Sequence, residues 1–185
     1  MLTGGKVRLR PKRLGDAFND YSWARDPELA QLDGTTPTTM PFSEYVLALD
    51  EELARSSPGR RFAIETLSGE HIGNCMYYDV DYGLGQVELG ILIGVRSYWS
   101  QGYGTDAVSV LLGHIFTSMP LKRAYLHTLE WNLRAQKCFE RCGFVPRSHT
   151  LRTGQRFLVM DIHRQDWESR WVGGREELTE ARREA

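Results

Sequence analysis

At 185 residues, 41% hydrophobic and 25% charged, the composition is that of one soluble domain with room for a real core. It excludes a membrane-spanning helix, because no apolar run approaches the ~20 residues a span needs. A net charge of -1 excludes a global pull toward nucleic acid or an anionic membrane. Residues 1–13 lack the apolar centre of a signal peptide, and three cysteines, an odd number, disfavour a disulfide framework. These features predict a reduced, cytoplasmic protein.

The alternation Val7-Arg8-Leu9-Arg10, closed by Pro11, predicts a first short strand. Leu14, Ala17, Phe18, Tyr21 and Ala24 fall at helical spacing, and Asp26-Pro27 ends that helix. Residues 34–39 show no periodicity and read as a loop. Tyr45, Leu49 and Leu53 mark a second helix, stopped at Ser56-Ser57-Pro58-Gly59. Three strands follow as a meander over 61–67, 71–80 and 86–95, turning at Ser68-Gly69-Glu70 and at Gly83-Leu84-Gly85.

After the apolar run Val87–Val95 comes Tyr98-Trp99-Ser100-Gln101-Gly102-Tyr103-Gly104-Thr105-Asp106-Ala107, which opens a helix with the stripe Val108, Leu111, Leu112, Ile115 and Phe116. A strand over 122–129 precedes a helix over 132–142, whose apolar face is Ala135, Cys138, Phe139 and Cys142. Arg134, Lys137, Glu140 and Arg141 take its other face, and Gly143 suits a left-handed cap. Two strands near 144–151 and 157–163, joined at Thr153-Gly154, close the pattern. We expect a domain over 1–167 and a charged tail over 168–185. Cys138 and Cys142 lack further ligands at a recognised metal spacing, so no metal site is expected.

The turn at 98–107 is the most informative stretch. A strand, a glycine turn and a helix start make a holder for phosphate oxygens, because free amides and the helix dipole favour negative charge. Alone, Gly102-x-Gly104 also suits a mere tight join of strand to helix. Two further segments decide between these readings. Asn132-Leu133-Arg134-Ala135-Gln136-Lys137-Cys138-Phe139-Glu140-Arg141-Cys142-Gly143-Phe144 follows about 30 residues after the glycine turn, and Arg156–His163 closes the sheet. Together with Glu88–Gly94, these resemble the GNAT superfamily of acetyl-CoA-dependent N-acetyltransferases. The Tyr-Trp-x-x-Gly-Tyr-Gly-Thr wording is most similar to the branch of ribosomal-protein N-terminal and spermidine acetyltransferase-like proteins. Trp99 stands where the broader family has glutamine or arginine, as that branch also does.

The resemblance, with the element order, implies a mixed α/β (α+β) fold. It is a single domain with a mostly antiparallel central sheet of about 6–7 strands and about four packed helices. It implies acetyl-CoA as cosubstrate. The backbone of Ile91, Leu92 and Ile93 is expected along the pantetheine arm, and the amides of Ser100, Gln101, Gly102, Tyr103, Gly104 and Thr105 at the pyrophosphate. Asn132, Ala135 and Phe139 are expected beside them. No acyl-enzyme is needed, so Cys138 need not be a nucleophile. The acceptor is expected to be an amine, with a protein or peptide N-terminus as leading choice and a polyamine or aminoglycoside-like amine as alternative. A non-catalytic acyl-CoA sensor is the rival of another class. No nucleic-acid or membrane partner is expected, and the protein is expected to be a monomer or homodimer.

The acceptor's proton matters most. Neutralising a side-chain-type ammonium at pH 7 costs about 4.6 kcal/mol, whereas a peptide α-amine costs only about 1 to 1.4 kcal/mol. Glu88 and His127 are the candidate bases, Glu88 through the family pattern and His127 because imidazole exchanges protons near neutrality. Glu130 is a third choice. Phe139 occupies the position where many relatives carry an acidic tyrosine, so Tyr77, Tyr78, Tyr125 or water must serve the leaving thiolate. The acceptor pocket is expected among Trp23, 33–42, 77–81 and 149–157, with Asp33, Asp79 and Asp81 offering charge and Trp23 and Tyr78 aromatic walls.

Overall fold

A computed structural model describes residues 1–170. Residues 171–185, most of the expected charged tail, lie outside the described residues. The strands are β1 (Leu2–Thr3), β2 (Val7–Pro11), β3 (Arg60–Thr66), β4 (His71–Asp81), β5 (Gln86–Ile93), β6 (Arg123–Leu129), β7 (Val145–Arg152) and β8 (Gln155–His163). The helices are α1 (Ala17–Ala24), α2 (Pro27–Leu32), α3 (Phe42–Ala54), α4 (Tyr103–Ser118) and α5 (Leu133–Cys142). A further helical segment covers 164–170. The strands form one sheet in the order β1-β2-β3-β4-β5-β6-β8-β7. Every neighbouring pair is antiparallel except β5 with β6.

Period-two alternation sorts the strand residues onto two faces. Tyr77, Val87, Leu89, Ala124 and Leu126 pack in one core with Val108, Leu111, Leu112, Ile115 and Phe116 of α4. The intervening residues, Tyr78, Glu88, Tyr125 and His127, therefore look out on the opposite face. Leu29 and Ala30 of α2, Trp23 of α1 and Leu49 of α3 are also buried, outside that core.

The expected class and order hold, with additions. β1 is a two-residue strand on β2, too short for any pattern to mark. Helix α2 arises because Asp26-Pro27, which ends α1, also starts the next helix. The Asp26 carboxylate accepts from the amides of Glu28 and Leu29, with proline at the helix start, where its missing N–H costs nothing.

Two charged anchors fix the layers that frame the site. Arg10 clasps Asp16 (2.6 Å) and Glu65 (2.5 Å), while Lys12 sits 2.6 Å from Asp20 and bonds Asn74 at 2.8 Å, all largely buried. Burial alone raises the Asp16 pKa, yet Arg10, the Arg13 amide and Lys12 outweigh it and hold the carboxyl well below the usual range. This network ties α1 to β2, β3 and β4. At the other anchor, the Asp106 carboxylate in the first turn of α4 accepts the amides of Gly5, Lys6 and Val7 at 3.1, 2.7 and 2.9 Å. It clamps the β1–β2 hairpin to the start of α4.

Candidate active site

The only parallel pair in the sheet opens the site. β5 and β6 align solely at Gln86–Arg123, Val87–Ala124 and Glu88–Tyr125. Beyond Glu88 the strands part, so among the described residues one edge of β5 from Leu89 to Ile93 has no strand beside it. A cavity of about 440 Å³ lies along that edge. Its walls include Ile91, Leu92 and Ile93, then Ser100, Gly102, Gly104 and Thr105, and across from them Asn132, Ala135, Cys138 and Phe139.

Gly102 takes φ +87°, the left-handed conformation natural to glycine, and stands at the N-cap of α4. The free amides of α4 thus open onto the cavity with the positive end of the helix dipole. The Gln101 and Tyr103 side chains do not line it: the Gln101 amide group donates to the Ser97 carbonyl, and Tyr103 meets Tyr98 edge-on, with ring centroids 4.8 Å apart. The Asn132 side chain accepts from the Ala135 amide at 3.2 Å, the expected helix cap.

Contributors to this cavity beyond the expected cofactor-binding residues include Trp99 and one charged face of α5. The Trp99 indole donates to the Ile93 carbonyl at 2.7 Å, so that backbone oxygen is already engaged. Its ring carries the Arg134 guanidinium 3.6 Å from the centroid. Arg134, Lys137 and Arg141 line the cavity, a cationic rim beside the glycine turn. Their spacing along α5 puts them on one helical stripe, which by itself does not tell a cavity-lining charged face from a solvated one. Cys138 faces Thr105 at 3.5 Å. The Cys142 thiol draws the Cys138 pKa down, to about 7, with help from Thr105 and against burial.

A second cavity, about 350 Å³, adjoins the first, and Leu32, Asp33, Ile91, Asn132, Ala135 and Phe139 line both. Its floor is a side-chain cluster. Glu88 is only 3% exposed, so its carboxylate needs partners. Oε1 accepts from the Tyr78 hydroxyl at 2.9 Å and from His127 Nδ1 at 2.7 Å. Arg152 Nη2 donates to His127 Nε2 at 3.0 Å. A guanidinium has no acceptor, so Nε2 offers its lone pair and the imidazole proton sits on Nδ1, facing Glu88. Burial, with the Glu88 charge, holds the Tyr78 phenol far above its usual pKa, so Tyr78 stays protonated.

Several expected neighbours lie elsewhere. Trp23 is buried against His71 at 4.9 Å rather than walling the acceptor cavity. Tyr77 points into the core beside Phe62 and His114, because alternation sends it to the face opposite Tyr78. Asp81 caps the Leu84 amide at 2.9 Å in the β4–β5 turn, and Asp79 lines neither cavity. Glu130 pairs outside with Arg156 at 3.0 Å and His149 at 3.3 Å, away from Glu88. Tyr125 lies beside His127, with ring centroids 5.9 Å apart, and lines neither cavity. Asp33 and Phe157 line the second cavity.

Among the described residues no helix is long and apolar enough to cross a membrane, and no group of three or more His, Cys, Asp or Glu is placed to hold a metal.

An opened parallel pair beside a glycine-turned helix start defines a site for an acyl-carrying phosphate cosubstrate. The sequence profile of the acetyltransferase (GNAT) domain family matches residues 6–145, and the chain belongs to that family. It is a GNAT-type N-acetyltransferase with acetyl-CoA as cosubstrate.

An uncharacterized N-acetyltransferase, p20 of Bacillus licheniformis, is 29% identical over 120 residues, 64% of this chain and 67% of that protein. The crystal structure of spermidine N-acetyltransferase from Vibrio cholerae with CoA and spermine superposes with a TM-score of 0.78 at 22% identity, covering 87% of this chain and 97% of that one. An aminoglycoside acetyltransferase in complex with coenzyme A gives 0.73 at 21%, covering 88% and 98%. At such identities the two structures speak for the fold.

Proposed function

We propose that this protein acetylates a small cationic amine of the polyamine or aminoglycoside kind, with His127 and Glu88 together removing the amine's proton. This acceptor replaces the peptide N-terminus that the wording of the glycine turn led us to expect. The observation that carries the reading is the buried carboxylate–imidazole pair on the floor of the second cavity, which shares a wall with the first. A peptide α-amine needs little help to lose its proton, whereas an ammonium with a pKa of about 10.4 needs a positioned base and a cation-attracting site. The buried Glu88 carboxylate supplies the attraction, and His127 Nε2 supplies the lone pair. The acceptors named for the two solved relatives point the same way.

In this reading the amides of residues 100–105 and the rim of Arg134, Lys137 and Arg141 hold the cosubstrate's phosphates. The open edge of Ile91–Ile93 lies along the pantetheine arm, and an amide of that edge steadies the oxyanion that forms when the amine attacks the thioester. His127 Nε2 takes the amine proton while Glu88, fixed by Tyr78, stabilises the imidazolium. Phe139 packs against both cavities and has no proton to give. Tyr78 holds its proton too tightly to serve a thiolate, whose ordinary pKa is about 8.5, so the departing coenzyme A thiolate is protonated from water. A cytoplasmic setting belongs to this proposal, and three free cysteines fit it.

An amine panel followed by free-thiol release from acetyl-CoA tests the reading. Spermidine, spermine or an aminoglycoside is expected to outpace a short peptide with a free N-terminus. Rapid turnover of the peptide, with none of the cations, overturns it.

A further inference from the structure

Arg152 closes β7 next to the tight turn at Thr153 and Gly154, and about half of its side chain is exposed, 50%. The guanidinium nonetheless reaches inward, donating to His127 Nε2 at 3.0 Å and lying 3.7 Å from Glu88 Oε1. Those are the contacts that an ammonium must make before His127 can take its proton. Resting on the reading of His127 and Glu88 as the amine site, we propose that Arg152 is a specificity-determining residue. Its guanidinium fills the amine seat of the free enzyme, and the acceptor must displace it.

Three features carry this. The guanidinium only donates, so while it stays the His127 lone pair is taken and no proton can be accepted. Glu88 is buried and charged, so whatever leaves must be replaced by another cation. A neutral acceptor offers nothing in exchange, so the seat selects amines that arrive protonated. Finally, displacement is easy for the side chain: Arg152 sits at a hairpin tip with half its surface already in water, and its release opens no core. An acceptor that competes with an internal occupant binds more weakly by the fraction of molecules in which the seat is free.

The test has two arms. In thermal melts, millimolar methylguanidinium is expected to stabilise Arg152→Ala in a saturable way, refilling the empty seat. The double variant Glu88→Gln/Arg152→Ala is expected to show no such shift, and the wild type to need about three- to tenfold more methylguanidinium than Arg152→Ala for the same shift, because its seat is only partly free. In kinetics with spermine, Arg152→Gln is expected to lower the amine KM about three- to tenfold while leaving the KM for acetyl-CoA unchanged, corresponding to a seat that is free in roughly a tenth to a third of molecules. A higher amine KM means that Arg152 grips the acceptor directly and overturns the proposal, as does an unchanged one. Absence of a saturable shift in Arg152→Ala overturns it as well. If the wild type acetylates no amine, the functional reading fails, while the melts still decide whether the seat exists.

Discussion

In the proposed reading, donor recognition rests on an exposed strand edge, a run of free amides and a helix start, all within residues 91–105, plus one face of α5. Acceptor recognition in that reading rests on four side chains from four strands: Tyr78 of β4, Glu88 of β5, His127 of β6 and Arg152 of β7. The first is a backbone device set by local geometry. The second is a convergence of side chains, which can be retuned residue by residue without disturbing the first. The two meet at a shared wall that includes Ile91, Asn132 and Phe139.

If the halves are separable, their variants must part company in kinetics. The largest effect is expected from His127→Ala and Glu88→Gln, each lowering kcat about 10²- to 10³-fold, the scale of a lost positioned base. The KM for acetyl-CoA should hold within about twofold in both, since neither residue touches the donor cavity. A parallel collapse of acetyl-CoA binding, measured by calorimetry, breaks the separation.

Gly102→Val is the mirror experiment. A β-branched residue at φ +87° is strained by about 1 to 3 kcal/mol, and the turn that presents the amides must shift. The KM for acetyl-CoA is expected to rise about tenfold or more, with the amine KM unaffected. Asp106→Asn probes the clamp behind that turn. Exchanging a carboxylate that gathers three amides for a neutral amide is expected to lower unfolding stability by about 1 to 3 kcal/mol in denaturant titration. An effect confined to catalysis, with stability intact, would assign Asp106 to chemistry instead.

The smallest expected effect sharpens the boundary of the donor half. Cys138 lines that cavity with a thiol pKa drawn down to about 7. Its labelling by iodoacetamide should rise as pH climbs through that value, because the thiolate reacts. Saturating acetyl-CoA should slow it several-fold. Cys75, buried in the core with its pKa pushed up by burial, should label last.

The contrast between the halves also explains what could be read from the chain. The donor half was legible because Ser100–Thr105 and the helix after Asn132 are each contiguous stretches, and the second decides between the two uses of a glycine turn that the first leaves open. Even there, Arg134, Lys137 and Arg141 read as a solvated face, since periodicity cannot say which charged stripe borders a cavity. Glu88 and His127 were visible as candidates, but their pairing depends on the parting of β5 and β6, which only the assembled sheet fixes. Tyr77 and Tyr78 show the limit most clearly. They are adjacent, and a single step of strand alternation sends one to the core and the other to Glu88. Trp23 was placed at the pocket because an aromatic beside a loop suits a cation, whereas the unforeseen helix α2 supplies Leu32 to that wall. Asp26-Pro27 reads as a helix stop in sequence, yet the same pair caps and starts α2.

The central claim is that a cation-attracting carboxylate–imidazole pair serves an acetyl-CoA site. The most direct measurement is product analysis after incubating the protein with acetyl-CoA and spermine. The account predicts acetylated spermine, with one free coenzyme A thiol for each acetyl group transferred, and loss of both in His127→Ala. Acetyl-CoA bound without thiol release in the presence of spermine or an aminoglycoside would contradict it.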